Sequence, residues 1–325
     1  MGLYGRREKL KRFGYNYLLY INEDISIVLS AVERKIEQFI ADLNDKEVSR
    51  LYTQLPHGKR LRAKLILKIA GSGLSVIKTA AIVEMIHAAS LLHDDVIDDA
   101  YTRRAKPSIN ALYGNKTAIM LGDILYSKGF LELNNISPEV AKIISNSVVQ
   151  LSLGELKDVS LSKSFNLDKE IYLEMIYQKT ASLMEASAGA AAVLAGKSQK
   201  AYMTYGRNLG LAFQMIDDIL DITADAVTLG KPALHDFVEG KTTLPYIYLY
   251  EVLGSDEKEK LRSLHAKVLS KEDQSWILEQ MRSHQIIEKS FFEARELVEE
   301  AIELMDRHGE EALSSIAMQM IERDF

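Results

Sequence analysis

The sequence predicts an all-α protein, a single large helical domain over residues 1–325. Three observations carry that expectation. Only 5 prolines occur in 325 residues, and proline breaks helix interiors. Apolar residues recur at helical spacing almost throughout the chain. No run of period-two alternation bounded by turn residues appears, so no sheet is needed.

The elements follow in chain order. Pro56, Pro107, Pro138 and Pro232 fall where helices should start or stop. Over residues 79–95, Ile82, Val83, Ile86, Ala89, Ser90 and His93 trace one broad helical face. Over residues 200–222, Tyr205, Leu209, Ala212, Ile216 and Leu220 trace another. Pro245 follows Thr242-Thr243-Leu244 and should open a further helix. Residues 258–304 mix charged and apolar groups in the manner of surface helices. No proline- or serine-rich linker divides the chain and no fixed-period repeat appears, so ten or more helices should pack as one unit.

Composition removes several function classes. The chain has 40 Lys+Arg against 46 Asp+Glu, a formal charge of −6, and no cysteine. A disulfide scaffold, a cysteine nucleophile and a thiolate metal site are excluded. A mildly acidic chain lacks the basic field of a nucleic-acid binder. With 47% hydrophobic and 26% charged residues it reads as an ordinary globular protein. The N-terminus is basic (Arg6, Arg7, Lys9, Lys11, Arg12), but no signal-peptide core follows it. The expectation is a cytoplasmic protein with at most peripheral membrane contact.

Two aspartate arrays stand out. The first is Asp94-Asp95-Val96-Ile97-Asp98, followed by Asp99; the second is Asp217-Asp218-Ile219-Leu220-Asp221. The i, i+4 spacing puts Asp94 and Asp98 on one helical face, and Asp217 and Asp221 on another. Such stacking is unfavourable in a plain helix, because like charges repel and anions oppose the dipole at a C-terminal end. Chance supplies about 0.07 such arrays in a chain of this length at average composition. Magnesium offsets the repulsion: it takes one or two carboxylates and shares its remaining shell with substrate phosphates.

Cations are distributed around the arrays. Arg103 and Arg104 follow the first, and Lys231 and Lys241 follow the second. Gly58-Lys59-Arg60-Leu61-Arg62 forms a basic segment after Pro56, and Lys179-Thr180 lies mid-chain. Arginine forks and lysine point charges both bind phosphate. His87 stands seven residues before Asp94, about two turns back on the same face. His93 lacks the second histidine of a zinc site at i+4 and is expected to pack beside the acids.

These residues resemble the trans-isoprenyl (polyprenyl) diphosphate synthases. Leu91-Leu92-His93-Asp94-Asp95-Val96-Ile97-Asp98 with Arg103-Arg104 is similar to that family's first aspartate-rich motif. Phe213-Gln214-Met215-Ile216-Asp217-Asp218-Ile219-Leu220-Asp221 is similar to the second. Gly230-Lys231-Pro232 and Glu239-Gly240-Lys241-Thr242-Thr243-Leu244-Pro245 match the block that follows, and Gly122-Asp123 also falls in place. The departures are His57, Ala63 and Ala105, where the family has glycine, proline and glycine.

The resemblance implies antiparallel helices around a central apolar cavity, a homodimer, and head-to-tail condensation of isopentenyl diphosphate with an allylic diphosphate. It implies that Asp94, Asp98 and Asp217 hold Mg2+, with Asp95, Asp218 and Asp221 in support. Arg103, Lys179, Lys231 and Lys241 would grip the allylic diphosphate. Lys59, Arg62, His87 and Arg104 would bind isopentenyl diphosphate. Thr180 and Gln214 would face the reacting carbons, and Arg323 would close over the second diphosphate. A terpene cyclase shares the metal-triggered ionisation but needs no isopentenyl site. A non-catalytic regulatory subunit tends to lose one array, and this chain keeps both.

Product length follows from helix geometry. The growing chain should run from Asp94 back along its own helix, past Ser90 and Ala89, then Ile86 and Val83. Ser90 and Ala89 are small, about one turn (about 5.4 Å) below the acids. Products longer than fifteen carbons are expected, with Phe130 and Met120 as candidate tunnel floors; the resemblance puts them in the C20–C40 range, with a quinone side chain, a carrier lipid or a diterpenoid precursor as their fate.

Overall fold

A computed structural model describes residues 25–56, 58–104, 106–223 and 233–321. Lys231, Arg323, His57, Ala105, Pro232 and the basic N-terminus, for which the sequence sets expectations, lie outside them.

Helix α1 occupies residues 25–41 and buries Val32, Ile36, Phe39 and Ile40. Asp45 caps α2 (Lys46–Tyr52) by accepting from the backbone N–H groups of Glu47 and Val48. After Pro56 come α3 (Leu61–Ala70) and the central helix α4 (Leu74–Ile97). Every residue from Thr79 to Ile86 on α4 is buried, so α4 is surrounded by protein and not covered along one face only. It has the length and apolarity of a membrane span, yet 56% of that window is buried inside the fold. Its continuous apolar run is the signature of a core helix packed on all sides.

The chain then makes a departure from the all-helical expectation. Thr102–Arg103 (β1) and Lys106–Pro107 (β2) pair antiparallel as a minimal hairpin. Four ladder residues leave no period-two run to read in the sequence. Helices α5 (Ile109–Tyr113), α6 (Asn115–Leu133) and α7 (Pro138–Leu161) follow. Ser137 caps α7 and Pro138 occupies its first turn, where the missing N–H costs nothing.

Asp168 caps α8 (Lys169–Ile176), which runs into a π turn over Tyr177–Ala181 and then α9 (Ser182–Leu194). Helix α10 (Gln199–Thr223) buries Tyr205, Leu209, Ala212 and Ile216, the face expected from the sequence. The remaining helices are α11 (His235–Val238), α12 (Leu244–Val252), α13 (Ser255–Leu264), α14 (Lys271–Ser283), α15 (Ile286–Arg307) and α16 (Glu311–Ile321). Pro245 sits in the first turn of α12, as expected. Helix α15 buries Ser290, Ala294, Val298, Ala301 and Met305 and packs against α10. Helices α4 and α10 are the two spines: α3, α6 and α9 pack on α4, and α9 and α15 pack on α10. One connected apolar core runs from Val32 to Ala317.

Candidate active site

Both spines end in acid. Asp94 and Asp95 lie in the last turn of α4, and Asp98 is its C-cap. Asp217, Asp218 and Asp221 lie in the last turns of α10. The two ends open into one cavity of about 260 Å³. Asp94 and Asp98 line it from α4, and Asp217, Asp218 and Asp221 from α10. Asp158 on α7 and Asp236 on α11 bring the described total to seven aspartates, against Arg103, Lys179 and Lys241 as cations.

Crowding like charges in a partly buried cavity favours the neutral acid. Burial, with Glu155 and Asp98 adding repulsion, pushes Asp94 from 3.8 up to about 7, although Lys179 and Arg103 pull the other way. Burial and the carboxylates of Asp236 and Asp217 push Asp218 well above its ordinary value. Burial works against the Lys179 ammonium, but Asp158, Glu155 and Asp94 outweigh it and hold its pKa above the lysine range. Lys179 Nζ lies 2.5 Å from Asp158 Oδ2 and 2.9 Å from Glu155 Oε2. Lys241 is held above the lysine range in the same way, against burial, by Asp236, Asp98 and Asp158.

The π turn is what aims Lys179 and Thr180. A π turn inserts one extra residue and re-aims the side chains around it. Room for it comes from glycines on both neighbouring helices. A Cβ at Gly154 on α7 would stand 2.3 Å from the Lys179 backbone nitrogen, and one at Gly210 on α10 would stand 2.5 Å from Ala181 Cα. The half-buried Thr180 hydroxyl is tied in turn: it donates to Gln214 Oε1 at 2.8 Å.

A second, basic cluster adjoins the acidic cavity. His87 on α4 is half-buried, and burial plus the charges of Arg62, Arg104, Arg103 and Arg60 push its pKa well below 6.5. Arg62 Nε is buried without a hydrogen-bond partner. Arg104 donates to the Pro56 carbonyl at 3.0 Å. Arg60 pairs with Glu33 at 2.6 Å and approaches Glu84 at 3.4 Å, while Glu84 accepts from the Ala63 amide at 3.0 Å. Arg60 and Arg104 both have φ of 53°, a left-handed conformation that costs an L residue roughly 1–2 kcal/mol. Strain of this kind concentrates at functional sites, held by the surrounding structure.

The described residues match in part and differ in part from those expected. Asp94, Asp98, Asp217, Asp218, Asp221, Arg103, Lys179, Lys241, Thr180 and Gln214 share the cavity lining. Asp95 does not: it is buried and accepts from Arg103 Nε at 2.7 Å. Its carboxylate therefore anchors the hairpin arginine and does not face the cavity. Lys59 is exposed beside the cluster that holds Arg62, His87 and Arg104. Val83, Ile86 and Ala89 are fully buried and are not among the residues lining this cavity; on α6, Gly129 lies opposite Ile82 and Ile86. Met120 is corrected as a tunnel floor, since it is 54% exposed on the outer side of α6. Phe130 is half-buried and stacks on Tyr126. His93 packs between α4 and α6, 3.2 Å from the Ile119 carbonyl and 3.4 Å from Asp123. Glu84, Glu155, Asp158, Tyr172 and Asp236 were missed, for none of them belongs to a repeated or spaced motif.

The donors suit a hard divalent cation, being oxygens of mutually repelling carboxylates. Among the described residues, no three acidic or histidine side chains gather tightly enough to hold a metal by themselves. The fit is therefore to a cation that shares its shell with a bound phosphate.

Comparison with known proteins agrees with this geometry. The polyprenyl synthetase family model matches residues 45–281. The chain belongs to the polyprenyl synthetase family. It is 32% identical to the octaprenyl diphosphate synthase of Escherichia coli, over 93% of this chain and 96% of that one. It is 33% identical to a short chain isoprenyl diphosphate synthase of Methanothermobacter thermautotrophicus, over 85% of this chain and 82% of that one. The crystal structure of octaprenyl pyrophosphate synthase from Helicobacter pylori superposes with a TM-score of 0.87 at 41% identity, covering 92% of this chain and 99% of that one.

The raised pKa of Asp94 gives a pH dependence with a definite sign. The folded protein holds this proton more tightly than the unfolded chain, so the contribution to stability is present below 3.8 and lost as pH rises through about 7. In metal-free protein the unfolding free energy should fall across that window, and Asp94→Asn should flatten the slope. Chemical denaturation at a series of pH values checks this; an unchanged slope in the variant contradicts the assignment.

Proposed function

We propose that the chain is a Mg2+-dependent prenyltransferase that condenses isopentenyl diphosphate head-to-tail with an allylic diphosphate to give an all-trans polyprenyl diphosphate. The observation that carries this reading is the abutment of two opposite sites at consecutive residues. Arg103 lines the acidic cavity, while Arg104 belongs to the basic cluster with Arg62 and His87. An enzyme that joins two diphosphates needs two diphosphate sites side by side, and a cyclase needs only the first.

Asp94, Asp98 and Asp217 would hold Mg2+ against the allylic diphosphate, with Asp218 and Asp221 behind them. When bound, Mg2+ supplies Lewis-acid neutralisation of the leaving diphosphate. Arg103, Lys179 and Lys241 add fixed positive charge where negative charge develops as the allylic C–O bond breaks. Arg62, His87 and Arg104, with Lys59 at the rim, orient the isopentenyl diphosphate so that its double bond meets the allylic carbon. The new C–C bond forms, a proton leaves the isopentenyl-derived carbon, and the released diphosphate accepts it. The apolar lining residues Leu161, Met175 and Ile176 keep water from the cation.

Chain length belongs to the same proposal. Ala89 and Ser90 present small side chains one turn below Asp94, and Ile86 meets α6 opposite a glycine. A growing product that parts α4 from α6 along this seam passes C15, into the C20–C40 range, which suits a quinone side chain. A homodimer is supported by exposed apolar side chains on neighbouring helices: Met120 and Leu131 on α6, and Val149, Leu153 and Leu156 on α7. A cytoplasmic location is proposed on the sequence grounds above.

Incubation with Mg2+, radiolabelled isopentenyl diphosphate and farnesyl diphosphate should yield labelled products longer than C15, resolved by mass. Ala89→Phe should shorten that ladder; no incorporation by the wild type would sink the reading. Analytical ultracentrifugation should give a dimer, and Leu156→Glu should shift it toward monomer. A wild-type monomer at micromolar concentration would count against the dimer.

A further inference from the structure

The cavity holds a hydrogen-bond chain whose far end has no part in the reading above. Tyr172 on α8 is 1% exposed and is one of the residues that line the cavity. Its hydroxyl donates to Asp218 Oδ2 at 2.7 Å. The Tyr172 hydroxyl hydrogen therefore points at Asp218. Gln214 Nε2 donates to the other oxygen, Asp218 Oδ1, at 2.9 Å. Gln214 Oε1 then accepts from the Thr180 hydroxyl at 2.8 Å.

The geometry sets the order of donors in this chain. Both Asp218 oxygens accept, one from Tyr172 and one from the Gln214 NH2, which leaves the Gln214 carbonyl turned toward Thr180. A carbonyl only accepts, so the Thr180 hydrogen must point at Gln214. What remains free on Thr180 is oxygen lone-pair density, and it faces the cavity where Lys179 and the acids converge. Lone pairs stabilise a developing carbocation, whereas an O–H turned inward would oppose it. Without the Tyr172 donor, Asp218 loses one of two fixed partners and is free to rotate, and the amide loses its orienting group.

We propose that Tyr172 is a positioning residue of the condensation: its hydroxyl fixes Asp218, Asp218 fixes the Gln214 amide, and the amide presents the Thr180 oxygen to the allylic cation. The inference rests on the prenyltransferase reading and names a residue that this reading does not use. It also gives a role to a large buried tyrosine that borders the cavity.

A double-mutant cycle on the full-length enzyme tests it. Tyr172→Phe keeps the ring and removes the hydroxyl; Thr180→Val keeps the shape and removes the lone pairs. Each single variant should lower kcat about tenfold or more, with KM for both diphosphates within about twofold of the wild type. The double variant should be no slower than Thr180→Val alone, within about twofold, because both changes break one chain. Multiplicative losses in the double variant would overturn the proposal, since a purely structural tyrosine acts independently of Thr180. A wild-type kcat in Tyr172→Phe would overturn it as well. A wild-type enzyme that fails to elongate at all would instead overturn the prenyltransferase reading.

Discussion

The constraint on which this structure depends is the crowding of carboxylates at the ends of its two central helices. Seven aspartates line one small cavity, and the three cations among its described lining residues do not balance them. Each array sits at a helix C-terminus, where the dipole already disfavours anions. A fold tolerates this only if the ends are rigidly held and if the charge has a partner to meet. The rigidity comes from α4 and α10, each packed along its length by at least two other helices. In the function proposed, that partner is a polyvalent cation together with an anionic substrate.

The arginines show how the acidic cavity and the basic cluster stay distinct though they touch. Arg103 is held by the buried Asp95, and its neighbour Arg104 is turned to the Pro56 carbonyl beside the basic cluster. A two-residue hairpin strand and a left-handed arginine make that division. Arg60 plays a supporting part: paired to Glu33 and Glu84, it fixes the start of α3, from which Arg62 reaches the cluster. Charge alone would have ranked Arg60 with the ligand-binding cations. Its two glutamate partners reveal the structural role.

Much of the site was legible because it is built from local motifs. Each array lies on a single helix, so spacing alone put Asp94 with Asp98 and Asp217 with Asp221. The helical class was equally legible, since the proline positions and apolar periodicity are local signals. What escaped was set by tertiary contact. Asp95 and Asp94 are adjacent in sequence, yet a rotation of about 100° per residue turns one toward Arg103 and the other toward the cavity. Glu155 and Asp158 hold Lys179 from a different helix, and Tyr172 reaches Asp218 across 46 positions. The π turn needs Gly154 and Gly210, whose requirement appears only when three helices are packed together. On α6, Gly129 packs against Ile82 and Ile86, a tertiary contact that no helical wheel contains.

The central claim is that the acids cannot hold the allylic diphosphate without a divalent cation. Isothermal titration calorimetry with an uncleavable allylic diphosphate analogue, in Mg2+ and in chelator, tests it most directly. The account predicts binding in Mg2+, at least hundredfold weaker binding in chelator, and loss of the Mg2+ effect in Asp94→Asn. Equal affinity with and without the cation would contradict it.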